Sequence, residues 1–217
     1  MPDFAQQRTT MVDSQVRPSD VTKLTVIEAM LDVPREAFVP DEARETAYAD
    51  ENIDLGHGRV MFAPRTLAKL LDALDIQADE MVLHVACGPG YGAAVMARIA
   101  EFVVALEEDE AMAAEAQAAL SEHGFDNVAV VTGPLAGGVA RHGPYDAILI
   151  EGAIEHLPED LAAQLKEGGR IACLVREGML TTARIGYKID GHVAWRYLFS
   201  AGAPVLPGFE AQHAFAL

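Results

Sequence analysis

The chain has 217 residues, enough for one domain with a substantial core. Hydrophobic residues make up 51% and charged residues 23%, a globular composition that excludes a disordered or collagen-like chain. Sixteen Lys and Arg against 33 Asp and Glu leave a formal net charge of −17. Nucleic acid and anionic membrane are poor general partners for such a surface, because both are negatively charged. Two cysteines, Cys87 and Cys173, are too few for a disulfide framework or a metal knuckle, and no metal is expected. No run is long and apolar enough to span a membrane and the first residues carry no apolar signal core, so a reduced, cytoplasmic protein is expected.

Residues 1–60 are polar and helix-leaning, punctuated by Pro18, Pro34 and Pro40. Val21, Leu24, Ile27 and Leu31 recur at helical spacing, with Asp20 placed to cap that helix. IDLGHGRVMFAP reads as a Gly-rich loop ending at Pro64, and Leu67, Leu70, Leu71 and Leu74 predict a helix over 65–75. From residue 81 short apolar runs alternate with helical segments. Strands are predicted at 81–86, 102–107, 127–132, 146–151 and 170–175. Helices are predicted at 91–100, at 109–124 with Asp109 near its start and Gly124 at its stop, and at 158–167 between Pro158 and Gly168. Continuous apolar strands separated by helices signal a parallel sheet covered on both faces. Segments 181–189, 193–199 and 211–217 are strand-like without helices between them, which fits an antiparallel addition at the sheet edge.

The strongest local constellation is VLHVACGPGYG, in which Gly88, Gly90 and Gly92 follow a strand and open a helix. Glycines permit a tight turn and let a ligand approach the backbone, and amides at a helix start hold an anion. Glu107 ends the next strand, 17 positions after Gly90, where a carboxylate accepts bonds from two ribose hydroxyls. Dinucleotides and S-adenosylmethionine both suit such a turn. Ala93 replaces the last glycine of the full dinucleotide spacing, and local chemistry leaves the two open.

Three stretches carry a resemblance to a known family. MVDSQVRP with VIEAMLDVPREAFVPDEARETAYADENIDLGHG, then VLHVACGPGYGAAVMARI, then PYDAILIEGAIEHLPEDLAAQLKEGGRIACLV resemble, in order and over residues 11–176, the protein-L-isoaspartate O-methyltransferases. The resemblance implies a Rossmann-like methyltransferase fold: a mostly parallel α/β sheet with helices on both faces and an antiparallel C-terminal edge. Residues 1–64 would pack as N-terminal helices and a substrate-side loop on a core of residues 65–217. It implies S-adenosylmethionine as cofactor and methylation of the free carboxylate of isoaspartyl residues in damaged peptides, so the partner is a peptide or protein carboxylate and the chain a monomer or homodimer.

The resemblance has departures. After GHG the family carries a Thr, an apolar residue and Ser-Gln-Pro, whereas this chain has Val60, Met61, Phe62, Ala63 and Pro64. Where the family has an acid in the strand before the turn this chain has His84, where it has its first glycine the chain has Ala86, and Gly133 is followed by Pro134 rather than Asp. Two further readings therefore stand beside the family reaction: an altered or inactive relative that binds a protein, or a methyltransferase of another small acidic or apolar acceptor.

The residues expected around the cofactor are Cys87, Gly88, Gly90, Tyr91, Glu107, Glu108, Gly133 and Glu151. Candidates near the acceptor are His57, Phe62 and Thr66. His84, mid-strand among apolar neighbours, is expected to be buried and hydrogen-bonded. Trp195, Tyr197 and Phe199 alternate and should share one face of a strand, and APVLPGFEA (203–211) is a loop able to border the cleft.

Overall fold

The structure, a computed structural model, describes residues 3–211. The predicted strand at 211–217 lies almost entirely outside them. Helices α1 (Phe4–Met11) and α2 (Leu24–Asp32) lead to a hairpin of β1 (Ile53–Gly56) and β2 (Arg59–Met61), then to α3 (Pro64–Leu74). Next come β3 (Met81–Val85), α4 (Tyr91–Ala97), β4 (Phe102–Glu107), α5 (Glu110–Glu122), β5 (Val128–Thr132) and β6 (Tyr145–Ile154). The chain ends with α6 (Glu159–Ala163), β7 (Leu165–Glu177), β8 (Leu180–Ile189) and β9 (His192–Ser200).

Seven strands form one sheet in the order β5-β4-β3-β6-β7-β8-β9. The first five run parallel, and β8 and β9 add antiparallel at the edge as expected. The apolar strands alternate between two cores. Val82, Ala105, Ala147, Leu149 and Ala172 face α2, α3 and α4. Leu83, Leu106, Ile148, Ile150 and Ile171 face the other way, toward Leu161, Leu206 and Phe209. The helix-packed face carries the alanines, which let helices approach closely. The larger aliphatic residues fill the face with less helical cover.

Four sequence expectations change. Asp20 does not cap α2: it adopts a left-handed φ of 62°, and the Asp72 carboxylate on α3 accepts instead from the amides of Thr22 and Lys23 at 2.8 and 2.9 Å. Residues 53–61 are a hairpin rather than loop, with Ile53 opposite Met61. The helix predicted over 158–167 stops at Ala163, because the Gln164 side chain ties Gly137 and Val139 to this corner while Leu165 pairs with Tyr145 in the sheet. In β9 a register shift opposite Ala183 and Arg184 breaks the alternation, so Trp195 packs toward one core and Phe199 toward the other, with Tyr197 exposed.

The 203–211 segment is loop, as expected, apart from one bridge residue, Val205. It lies along β6, where the Ala153 amide donates to Pro204 and the Leu206 amide to Ala153, and it buries Leu206 and Phe209.

Since the Asp72 carboxylate accepts from both the Thr22 and Lys23 amides, Asp72→Ala should cost about 1 kcal/mol. Urea unfolding checks this, and an unchanged midpoint would show that the cap contributes nothing.

Candidate active site

The C-terminal ends of β3, β4 and β6 meet where strand order reverses, since β4 and β5 extend the sheet to one side of β3 and β6 and β7 to the other. Ligands of doubly wound sheets bind in the crevice such a reversal creates. The turn after β3 is left-handed at Ala86 (φ 63°), Gly88 (φ 55°) and Gly90 (φ 102°), and Gly90 caps α4. A Cβ on Gly90 would sit 3.3 Å from Leu120 and one on Gly88 3.0 Å from Leu55, so space as well as φ favours glycine at both. Ala86 takes a conformation that suits glycine, at the position where the family resemblance expects one.

Glu107 ends β4 facing this turn and is fully buried. Its carboxylate accepts five bonds. Arg59 on β2 donates Nη1 to Oε1 at 2.7 Å and Nη2 to Oε2 at 2.8 Å. The Gly88 amide reaches Oε2 at 2.8 Å, and the amides of Glu108 and Asp109 reach Oε1 at 2.8 and 3.1 Å. Burial by itself would raise the Glu107 carboxyl. The Arg59 bonds and charge, with the amides, outweigh it and hold the group below the ordinary carboxylate range. Glu107 in turn raises the Arg59 guanidinium against its own desolvation.

Deeper in, His84 on β3 and Glu151 on β6 are buried, with Nε2 and Oε2 3.0 Å apart. The distance is that of an ion pair, but the alignment is not that of a hydrogen bond, and Nδ1 has no protein partner. The other Glu151 oxygen accepts from the Phe62 amide at 2.8 Å. A Cβ on Gly92 would lie 2.7 Å from His84 Cε1 and 2.9 Å from Glu151 Oε2, so α4 can pass this pair only with glycine there. The fully buried Arg35 donates Nε to Ala47 O at 2.6 Å and Nη2 to Phe62 O at 2.8 Å. Its guanidinium lies 4.7 Å from the Tyr91 ring centroid, which joins the N-terminal segment and the hairpin base to α4.

The turn and strand ends bring together Gly88, Gly90, Glu107, Glu108 and Gly133, whose amide bonds to Glu107 O at 3.0 Å. Glu151 closes the inner wall rather than facing open space. Tyr91 and Cys87 are core residues behind the turn. Burial, and then the charges of Glu107 and Glu151, push the Cys87 thiol well above its usual range, which makes it inert. The acceptor candidates sit in different settings. His57 is at the exposed hairpin tip, Thr66 is in the first turn of α3, and Phe62 is fully buried, so its side chain packs the core instead of meeting an acceptor.

Sequence reasoning missed Arg59 and Arg35. Arg35 lies inside a segment that carries the family resemblance and Arg59 directly follows it, but pairing over 48 residues between Arg59 and Glu107 leaves no local periodicity to read.

Two predictions follow from this geometry. The folded pKa of Glu107 is depressed, so its stabilisation is fully present above about pH 4.3, the unfolded value, and is lost as pH falls through the folded pKa. Between pH 7 and pH 3 the urea midpoint of the unmodified chain should therefore fall further than that of Glu107→Gln; equal falls would contradict the assignment. Ala86→Gly should stabilise by roughly 0.5–1 kcal/mol, relief of left-handed alanine being partly offset by added freedom in the unfolded chain. Destabilisation in thermal unfolding would show that the turn is not strained there.

Comparison with known proteins agrees with this architecture. The profile of the protein-L-isoaspartate(D-aspartate) O-methyltransferase family matches residues 6–200. Protein-L-isoaspartate O-methyltransferase 1 of Rhodopseudomonas palustris (strain HaA2) is 41% identical over 168 residues, covering 77% of this chain and 69% of the relative. The corresponding protein of Koribacter versatilis (strain Ellin345) is 36% identical over 190 residues, covering 88% and 86%. A solved protein-L-isoaspartate O-methyltransferase superposes with a TM-score of 0.82 at 25% identity, over 93% of this chain and 66% of that longer one. A Plasmodium falciparum chain assigned to the same activity, in complex with S-adenosyl-L-homocysteine, shares the fold at a TM-score of 0.80 and 19% identity, over 95% and 99%. On a profile match that spans most of its length, and on relatives more than a third identical, the chain belongs to the protein-L-isoaspartate O-methyltransferase family.

Proposed function

We propose that the chain is an S-adenosylmethionine-dependent methyltransferase acting on the free carboxylate of isoaspartyl residues in proteins or peptides, the reaction for which its relatives are named. One observation carries this reading: a buried carboxylate, Glu107, ends the strand beside β3 and faces a left-handed glycine turn at the reversal of strand order.

The residues fit the nucleoside half of that cofactor in kind. Glu107 is the group to accept from the ribose hydroxyls, Gly88 and Gly90 allow close approach at the turn, and Glu108 and Gly133 border the adenine side. The bound cofactor supplies an electrophilic sulfonium methyl. The chain's own task is then to align a carboxylate with it and to exclude water, since a carboxylate is already ionised at neutral pH. The apolar side chains of Val60, Met61 and Ala63, on the hairpin and just after it, suit water exclusion. They offer no hydroxyl to the substrate, which leaves His57 and Thr66 as polar groups on the acceptor side. The negative surface disfavours nucleic acid and membrane as partners, and a monomer or homodimer working in the cytoplasm fits the reading.

A second reading, a family member that binds a protein and has lost the transfer, is favoured by one observation: Arg59 already holds both Glu107 oxygens.

Incubation with methyl-labelled S-adenosylmethionine and an isoaspartyl peptide should yield a base-labile methyl ester, with none on the matching aspartyl peptide. Glu107→Ala should weaken cofactor binding at least ~10-fold, since even one of the two ribose hydrogen bonds to a charged group is worth about that much. Cofactor binding without transfer above blank would contradict the first reading and leave the second.

A further inference from the structure

We propose that Arg59 is a latch on the cofactor site: it competes for the ribose-binding carboxylate, and the β1–β2 hairpin must release it before a nucleoside can bind. The inference rests on the proposed function and deepens it by naming what limits access to the site.

A carboxylate offers about four lone-pair positions, and Glu107 already receives five donors, two from Arg59 and three from backbone amides. No position is left for a ribose hydroxyl while Arg59 stays. The amides of Gly88, Glu108 and Asp109 belong to the turn and to the entry of α5 and do not depend on the hairpin. If Arg59 leaves, the carboxylate keeps three donors, and the two hydroxyls of a ribose diol replace the two bonds Arg59 made, restoring the present five.

The hairpin is anchored at one end. Its base is fastened: the Phe62 amide donates to Glu151, the Ala63 amide to Asn52 Oδ1 at 2.9 Å, and Arg35 holds Phe62 O. Its tip is Gly56, His57 and Gly58, all left-handed, and β1 and β2 are only four and three residues long. From this hairpin Arg59 reaches Glu107, and Leu55 lies against Gly88. Leu55 also lines a cavity of about 450 Å3 with Pro89 and Met112, so there is free volume beside the hairpin. Arg59 Nε has no protein partner, so release into water breaks only the bonds to Glu107 and satisfies a buried donor.

A site that is open in only a fraction of molecules has its apparent affinity reduced by that fraction. Calorimetric titration with S-adenosylhomocysteine tests the latch on the full chain and on Arg59→Gln and Arg59→Ala, each first shown to be folded by thermal unfolding. Both variants should bind at least ~10-fold more tightly, as expected for a latch closed in nine molecules of ten. Equal affinity in all three would overturn the latch and leave the proposed function standing. No binding in any of them would overturn the proposed function and the latch with it. Should the variants not fold, the unmodified chain decides: with 15N-arginine, the Arg59 Nη–H groups that bond Glu107 should exchange slowly alone and rapidly when saturated with S-adenosylhomocysteine. Exchange that stays slow at saturation would overturn the latch.

Discussion

The buried pair of Arg59 and Glu107 is the contact on which the rest of the site depends. Taking both charges out of water is costly, and a two-pronged guanidinium with three converging amides is the arrangement that compensates for it. The pair joins the hairpin to the sheet at the point where strand order reverses. It thereby fixes where β2 lies over the glycine turn and keeps Glu107 ionised. The same carboxylate is the group that the proposed function assigns to the nucleoside, so on that proposal structure and binding draw on one pair of oxygens.

Around it, the chain uses small residues where backbones must pass closely and left-handed residues where the turn must reverse. Gly92 lets α4 run over the His84–Glu151 pair, and Gly90 lets it start against α5. Arg35 closes the arrangement from the N-terminal side, its guanidinium spread between Ala47, Phe62 and the Tyr91 ring. The site is therefore assembled from three segments far apart in sequence, and the N-terminal region shares one core with the sheet.

The sequence is most legible where one local rule acts alone. The apolar runs of β3 to β6 and the helical spacing of α3 and α5 are set by burial on the sheet faces, and they lie close to where periodicity puts them. The glycine turn and Glu107 were legible because the chemistry requires glycine at positive φ and an acid at a strand end. Legibility fails where a distant partner decides. Asp72 caps α2 from α3, Gln164 shortens α6 by bonding the Gly137 carbonyl and the Val139 amide of another loop, and a register shift turns Trp195 away from Phe199. The hairpin looked like loop because its strands are short and bracket a run of left-handed residues. Arg59 was hidden with it, since nothing local marks an arginine that will be buried on a carboxylate in another strand.

A crystal structure of the chain saturated with S-adenosylhomocysteine tests the central claim most directly. The account predicts ribose hydroxyls on the Glu107 oxygens, with the Gly88, Glu108 and Asp109 amides retained and Arg59 turned out toward solvent. A nucleoside bound while Arg59 still spans both Glu107 oxygens would contradict it.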